Sequence, residues 1–302
     1  MNFKNITKEV NNLVSIAREA DLKKAAIPVY DILPSWCFPE RHLRFKAYCV
    51  GMGKTGTTTM HAIFRNQYRS AHEPEARFLT KKIIAFTQGN IDQSQFTQYI
   101  KHQDRRLGLE MNSSNLNYYL IDILVNEFSN AKFILTIRDC YSWLDSIINH
   151  HLVNLNRLKS NNWFRHDWLL LTDMRYRTDK KHVKEETILA NNGLYTLDGY
   201  FSSWRESNSK ILATVPEERL LIVKTAEINQ SIQRIEEFLG IPVGTIPNRV
   251  RENVRSKKTN LLSQINKDFL EEKANFHCKE LMDKYFPEVK GFNSYNDSDT
   301  FF

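Results

Sequence analysis

The sequence predicts an α/β fold, a three-layer sandwich in which helices cover both faces of a central parallel sheet. Short apolar runs alternate with segments of helical periodicity along most of the chain, and this alternation is typical of crossover units with parallel strands. Polar and glycine-rich loops follow two of the apolar runs directly, at residues 51–59 and 138–142. Because ligands of open parallel sheets bind beyond the carboxyl ends of the strands, both loops are candidate sites.

The predicted elements follow in chain order. Strand-like runs are FKAYCV (residues 45–50), LGLEM (107–111), AKFILTI (131–137) and RLLIVK (219–224). Helical spacing is found in MHAIFRNQ after the first run, and in residues 117–128, 141–158 and 228–240. Gly240 and Pro242 end the last of these helices.

We predict one domain over residues 1–302, with two additions to the alternating core. Residues 1–43 are expected to form an amphipathic helix followed by a proline-rich connector. Residues 151–197 interrupt the alternation with a segment rich in Asn, Trp, Arg and Lys. This segment is expected to be a helical lid or insertion that shapes a substrate site; the alternative is a solvated helical insertion.

Composition limits the class of protein. The 302 residues are 41% hydrophobic and 25% charged, which is typical of an ordered globular chain. The net charge of +7 favours anionic partners, such as nucleotides or sulfated and phosphorylated sugars, although a mildly basic surface would give the same balance. No run approaches ~20 apolar residues, so no membrane span is predicted, and the absence of an apolar signal core favours a cytoplasmic protein.

The four cysteines do not form a Cys-x-x-Cys pair, so their spacing does not predict a zinc site. Cys49 and Cys140 lie in or beside apolar runs and are predicted to be buried thiols. This usage favours a reducing compartment.

The loop after the first strand has the composition of a phosphate cradle. Glycines allow successive backbone N–H groups to point into one concavity at the positive end of the following helix. A lysine adds charge, and threonine hydroxyls add donors. The predicted binding residues are Gly53, Lys54, Thr55, Gly56, Thr57 and Thr58.

The Walker pattern does not fit this loop, because Lys54 precedes Gly56 instead of following the last glycine. A magnesium-dependent P-loop kinase is nevertheless kept as an alternative. It would need a metal-binding carboxylate, and Asp139 is the nearest candidate, although Arg138 stands beside it.

The string GKTGTTTM resembles the 5′-phosphosulfate loop of the sulfotransferases that use 3′-phosphoadenosine 5′-phosphosulfate (PAPS), commonly G-x-x-[KR]-[ST]-G-T-[ST]. In that family, an arginine after the third strand and a serine eight residues later hold the 3′-phosphate; Arg138 and Ser146 have this spacing. The resemblance covers roughly residues 45–292. It implies a P-loop-like fold, PAPS as donor, 3′-phosphoadenosine 5′-phosphate (PAP) as product and no metal.

The chain departs from the family pattern at two places. Thr59 stands where cytosolic members often have a tryptophan, so the adenine partner is not predicted. The C-terminal R-K-G loop of those members is absent, and NVRSKKTN (residues 253–260) offers Arg255, Lys257 or Lys258 as equivalent cations. The alternative for this segment is a solvated basic loop.

The proton acceptor is expected in SAHEPEARFL (residues 70–79). This stretch resembles the E-x-E-x-x-F-F segment of sulfotransferases that act on heparan-type sugars, and the alignment makes Glu75 the base, with Glu73 and Arg77 alongside. His72 is the competing candidate, because cytosolic members use a histidine. His102, His150 and His151 are further candidates.

Taken with the resemblance, the sequence predicts sulfuryl transfer from PAPS to a hydroxyl or amine of a small-molecule or oligosaccharide acceptor, with natural-product tailoring favoured and no nucleic-acid partner. A non-catalytic polyanion-binding protein on the same fold is the alternative from another class. Aromatic residues of the insertion are expected to line the acceptor site or to fill the core: Trp163, Phe164, Trp168, Tyr176 and Tyr195.

Overall fold

The computed structural model describes residue 38 and residues 40–158, 162–176, 181–247 and 259–292, and the side chains of residues 156–165 lie outside this description. Its centre is a parallel five-stranded sheet in the order β2-β3-β1-β4-β5. The strands are β1 (Ala47–Cys49), β2 (Ser70–His72), β3 (Met111–Ser113), β4 (Lys132–Ile137) and β5 (Leu220–Lys224). The predicted α/β class with a parallel sheet is confirmed.

Ten α-helices are found in the described part of the chain. They are α1 (Thr57–Phe64), α2 (Ala76–Thr87), α3 (Gln93–Leu107), α4 (Asn117–Glu127), α5 (Cys140–Leu158), α6 (Asn162–Tyr176), α7 (Thr187–Asn191), α8 (Leu197–Thr214), α9 (Ile232–Leu239) and α10 (Lys267–Tyr285). The described part contains no helix long and apolar enough to cross a membrane.

Two strand predictions need correction. The run at 107–111 was expected to be a strand, but Leu107 ends α3 and Gly108 caps it in the left-handed region (φ 54°). β3 therefore begins at Met111, where the predicted strand ended. β2 was not predicted, because Ser70–His72 is only three residues long and carries no apolar alternation.

The core lies on both faces of the sheet. Because side chains alternate along a strand, Phe133 and Leu135 of β4 pack on one face and Ile134 packs on the other. The Ile134 face is covered by α1 and α9, whereas most other helices pack against the opposite face. The predicted buried thiols, Cys49 and Cys140, are both buried within this core.

The predicted additions to the core have different outcomes. The helix expected within residues 1–43 falls outside the described residues. Within residues 151–197, the structure contains the end of α5, then α6 and α7, and α8 begins at Leu197. The function of this helical segment as a lid stays a prediction.

The end of β1 approaches β4 very closely at Gly51. A Cβ at this position would lie 1.9 Å from Thr136 Oγ1 and 2.6 Å from the Thr136 carbonyl oxygen. Since the second atom belongs to the backbone of a buried strand, the clash cannot be relieved by a rotamer change alone. Gly51 is therefore required by the packing of the loop that follows β1.

We expect Gly51→Ala to lower the free energy of unfolding by about 3 kcal/mol, because the added methyl overpacks a rigid site. Urea denaturation at neutral pH measures this change. Gly53→Ala is the matched control, since its Cβ would meet only Ile147 Cδ1, at 3.9 Å. Equal losses in the two variants would contradict the packing argument.

Candidate active site

All five strands contribute a residue to one edge of the sheet, at their carboxyl ends. The loop after β1 is contacted there by residues that end or follow other strands of the sheet. Ser113 at the end of β3 donates its hydroxyl to the Thr57 carbonyl (2.6 Å), and Thr225 after β5 donates to the Thr55 carbonyl (2.7 Å). His72 ends β2, and Arg138 directly follows β4. The parallel topology thus gathers residues from distant parts of the sequence.

The cradle (residues 51–58) has the backbone geometry of an anion site. Lys54 and Gly56 both have positive φ, at 72° and 103°. Gly56 is the N-cap of α1; no side chain caps this helix and no acidic residue lies in its first turn. The positive end of the helix dipole is therefore available to an anion rather than being satisfied by the protein.

Hydroxyl groups of the cradle have two different roles. The Thr55 hydroxyl is buried; it donates to the Met52 carbonyl (2.7 Å) and lies 3.0 Å from Thr136 Oγ1. It therefore stabilises the loop itself. The hydroxyls of Thr57 and Thr58, in contrast, lie 3.3 Å and 3.2 Å from His72 Nε2.

Arg138 lies beside the cradle, as predicted from its place after a strand. Its Nη1 is 3.5 Å from the Lys54 carbonyl oxygen, and its Nε donates to Ser142 Oγ (2.8 Å). Ser146 follows Ser142 by four residues, so it lies one turn along the same face of α5. Both predicted residues of the 3′-phosphate pair therefore face the same region.

Ser142 was not singled out from the sequence. Asp139 accepts a hydrogen bond from the Ser142 backbone N–H (2.8 Å), which caps the start of α5, and its other carboxylate oxygen accepts from the Ser142 hydroxyl. The Asp-x-x-Ser spacing of a helix N-terminus was the signal that could have identified this contact. These two contacts hold the Asp139 carboxylate against the start of α5.

Glu75 lies in a fixed ion pair. It caps α2 in the left-handed region (φ 53°), and its carboxylate accepts from both terminal nitrogens of Arg106, one at 2.7 Å, and from Gln103 Nε2 (3.1 Å). Burial opposes ionisation, but the hydrogen bonds from Arg106 and Gln103 lower the pKa of Glu75 below its ordinary value of 4.5. These bonds hold the carboxylate toward α3.

His72 contacts the cradle, whereas Glu73 and Glu75 contact other parts of the chain. Its Nε2 is within hydrogen-bonding distance of two cradle hydroxyls. Glu73, the next residue, accepts from Asn115 Nδ2, and its backbone N–H extends the β2–β3 pairing to the Ser113 carbonyl (2.9 Å). The structure therefore brings the histidine, and not Glu75, into contact with the predicted phosphate-binding threonines.

The predicted cations Arg255 and Lys257, with Lys258, lie outside the described residues. The chain resumes at Thr259, whose backbone N–H and hydroxyl both donate to Asn149 Oδ1 at 2.9 Å. Asn149 lies on α5, three residues after Ser146. In the described ranges, no group of three or more His, Cys, Asp or Glu residues is arranged to hold a metal ion.

Comparison with known proteins agrees with this architecture. A family model described as a sulfotransferase domain matches residues 46–257, which include the cradle, His72, Arg138 and Ser146. The chain belongs to this sulfotransferase family. A comparison with curated proteins finds no match.

Two solved structures are similar to the chain. A sulfotransferase from Alicyclobacillus acidocaldarius is 16% identical, with 78% of this chain and 96% of that chain covered and a TM-score of 0.41. A sulfotransferase domain from the curacin biosynthetic pathway is 14% identical, with 68% and 77% covered and a TM-score of 0.35. The family assignment rests on the match over residues 46–257.

We expect Arg106→Gln to lower the free energy of unfolding by about 2 kcal/mol at pH 7, because it leaves a partly buried carboxylate without its charged donor. The folded-state pKa of Glu75 is lowered, so the ion pair stabilises the protein above the ordinary pKa of 4.5. That contribution is lost as pH falls through the folded-state value. The difference from the unmodified protein, measured by urea denaturation, should therefore shrink below about pH 4.

The matched control is Arg106→Gln in a Glu75→Gln background, where no carboxylate is left unpaired. In this background, Arg106→Gln should lower the free energy of unfolding much less at pH 7, and the loss should depend little on pH. A pH-independent cost in both backgrounds would contradict the ion-pair argument.

Proposed function

We propose that the protein transfers a sulfuryl group from PAPS to a hydroxyl or amine of a small-molecule or oligosaccharide acceptor, with tailoring of a natural product as the favoured role. One observation carries the proposal above the others. No side chain caps the start of α1, and Lys54 lies in the loop that precedes this helix. Arg138 lies beside the same loop, so two positively charged groups are adjacent at one edge of the sheet. A donor with separate phosphates at its 5′ and 3′ positions matches this arrangement.

The residues present fit PAPS. A Cβ at Gly53 would meet only Ile147 Cδ1, at 3.9 Å, and no side chain caps the first turn of α1. When bound, PAPS supplies the sulfuryl group and leaves as PAP. The 5′-phosphosulfate is assigned to Gly53, Lys54, Gly56, Thr57 and Thr58, and the 3′-phosphate to Arg138 and Ser146.

Lys54 has the role of stabilising negative charge at the cradle. Sulfuryl transfer depends on positioning and on stabilisation of the charge that develops on the leaving oxygen. An ammonium group next to the helix N-terminus serves this purpose, and the left-handed conformation of Lys54 sets the direction of the chain at this point. Trp143 stabilises the loop by donating its Nε1–H to the Gly53 carbonyl (3.0 Å).

We propose that His72 accepts the proton of the acceptor group. A general base must first satisfy geometry, within hydrogen-bonding reach of the reacting centre. His72 Nε2 is within 3.3 Å of both Thr57 and Thr58 hydroxyls. Glu75, which the resemblance to heparan-type enzymes favours, is the alternative; its pKa is lowered below the ordinary value, and its contacts with Arg106 and Gln103 support a role in positioning the start of α2.

Lys54→Ala and Arg138→Ala are each expected to reduce sulfation with PAPS severely, by at least about 100-fold in kcat/KM. Lys54 should act mainly on kcat and Arg138 mainly on the affinity for the nucleotide. Steady-state assays with labelled PAPS, with PAP affinity measured separately, distinguish these effects. Full activity in both variants would exclude the proposed donor site.

Binding of PAP provides the control for this prediction. PAP should raise the melting temperature of the unmodified protein, since a ligand that binds only the folded state stabilises it, and Arg138→Ala should weaken the shift. ATP with magnesium should give no comparable shift. The opposite preference would favour the kinase alternative, whereas salt-sensitive binding of polyanions without PAP binding would favour the non-catalytic one.

The choice of base is tested by His72→Ala and Glu75→Gln at saturating PAPS. Loss of a general base costs about 100-fold or more in turnover, so we expect that loss for His72→Ala. Glu75→Gln keeps the side-chain shape and should retain most of the turnover. The reverse ranking would restore Glu75 as the base.

A further inference from the structure

A cavity of about 500 Å³ is lined by residues between His151 and Thr196, the segment that begins in the second half of α5. Its walls come from the second half of α5, from α6 and α7, and from the loop that leads into α8. A volume of this size is typical of sites for small organic ligands. None of the residues that line it belongs to the cradle, so the cavity is a separate element of the structure.

The walls of the cavity are largely apolar and aromatic. Leu155, Leu169 and Leu194 supply aliphatic surface, and Trp168 and Tyr195 supply rings. Behind them, Tyr176 stacks on Tyr195 with a centroid distance of 5.2 Å, which fixes the tyrosine ring in place. Such walls suit a ligand that carries a flat ring system.

A neutral imidazole provides one polar group in these walls. His151 is buried, and its Nδ1 lies 2.9 Å from the Tyr200 hydroxyl. Burial, together with His150 and Arg175, lowers the pKa of His151 to about 3, so the ring is uncharged near neutral pH. In the described part of the chain its Nε2 has no hydrogen-bond partner, which leaves this atom for a ligand.

A carboxylate provides a second polar group. Asp173 accepts a hydrogen bond from the Tyr195 hydroxyl (2.7 Å), and no Lys or Arg of the described residues forms an ion pair with it. Lys181 and His182 also line the cavity. Lys181 is exposed at the rim, where solvent screens its charge, and His182 donates Nε2–H to the Leu194 carbonyl (2.9 Å). Among the described residues that line the cavity, Asp173 is therefore the one carboxylate, and the one lysine lies exposed at the rim.

The position of the cavity connects it to the cradle. On α5, Trp143 donates to the Gly53 carbonyl, and Ile147 Cδ1 lies 3.9 Å from the position that a Gly53 Cβ would take; His151 in the cavity wall follows Ile147 by four residues. This spacing corresponds to about 6 Å along the same helix face. Along α5, the cavity wall thus begins about one helical turn after the residues that contact the loop following β1.

We propose that this cavity binds the ring-bearing body of the acceptor, and that the acceptor carries an ammonium group held by Asp173. The rings of Trp168 and Tyr195 contact the flat part of the molecule and add a cation–π attraction for the ammonium. The inference of a binding site stands on the cavity itself, and its assignment to the acceptor rests on the proposed function.

Isothermal titration calorimetry of the full chain with three matched probes tests the proposal. The probes are 1-naphthylmethylamine, the neutral 1-naphthylmethanol and the anionic 1-naphthylacetate. We expect the amine to bind at least tenfold more tightly than the alcohol, and the carboxylate to bind most weakly. Tighter binding of the carboxylate, or no binding of any probe, would overturn the proposal.

Variants locate the site. Ala190 lies exposed at the cavity, so Ala190→Trp should obstruct it and raise both the amine and the alcohol Kd at least tenfold. Asn191→Trp is the control: the same exposed helix carries the same added ring, one residue away and outside the cavity lining. Equal effects of the two would overturn the location.

Asp173→Asn keeps an acceptor for Tyr195 but removes the charge. It should raise the amine Kd about tenfold and leave the alcohol Kd unchanged; an unchanged amine Kd would overturn the role of Asp173. The titrations need no nucleotide, so they are independent of PAP binding and of turnover. Repeating them with saturating PAP tests the acceptor assignment, since transfer requires both ligands together, and exclusion of the amine by PAP would overturn it.

Discussion

The backbone of the cradle depends on side-chain donors that other elements of the fold supply. A loop between a strand and a helix leaves carbonyl groups that regular structure does not satisfy, and when buried these need other partners. Thr225 donates to the carbonyls of Thr55 and Ile137, Ser113 donates to that of Thr57, and the Trp143 indole donates to that of Gly53. With its carbonyls held from the protein side, the loop can keep its positive φ angles, and the start of α1 stays open to an anion.

Charge is distributed differently on the two sides of this loop. On the β4 side, Arg138 is hydrogen-bonded to a serine hydroxyl and a backbone carbonyl, so its contacts are compatible with an additional anion. On the β2 side, Glu75 and Arg106 neutralise each other in a partly buried pair. The same physical rule, that a buried charge needs a partner, thus supports a phosphate site at Arg138 and a positioning role for Glu75. In the insertion, the half-buried Asp173 carboxylate accepts a hydrogen bond from Tyr195 and has no Lys or Arg ion-pair partner among the described residues, so a cationic ligand would balance its charge.

Much of the fold could be predicted from local patterns. The long apolar run of β4 and the amphipathic helices after β3, β4 and β5 stand out because each is fixed by neighbours within a few residues. β2 was missed because its three residues carry no apolar run, whereas the equally short β1 lies in the apolar run of residues 45–50, and the start of β3 was placed too early. Leu107 and Gly108 show why the start of β3 was misplaced. Apolar residues at the end of a helix and in the turn after it resemble the pattern of a strand.

By itself, the sequence predicted a phosphate-binding loop, because Gly, Lys and Thr after a buried strand, and Arg after another, form a pattern that is set by neighbouring residues in the chain. The tertiary structure decided which acidic or basic side chain faces the cradle. Glu75 matches a motif locally, yet its partner Arg106 is 31 residues away, and His72 contacts Thr57 and Thr58 only because β2 pairs beside β3 at the same edge. Likewise, the cavity exists only where four segments of the chain meet. Contacts between distant residues depend on topology, and no local pattern encodes them.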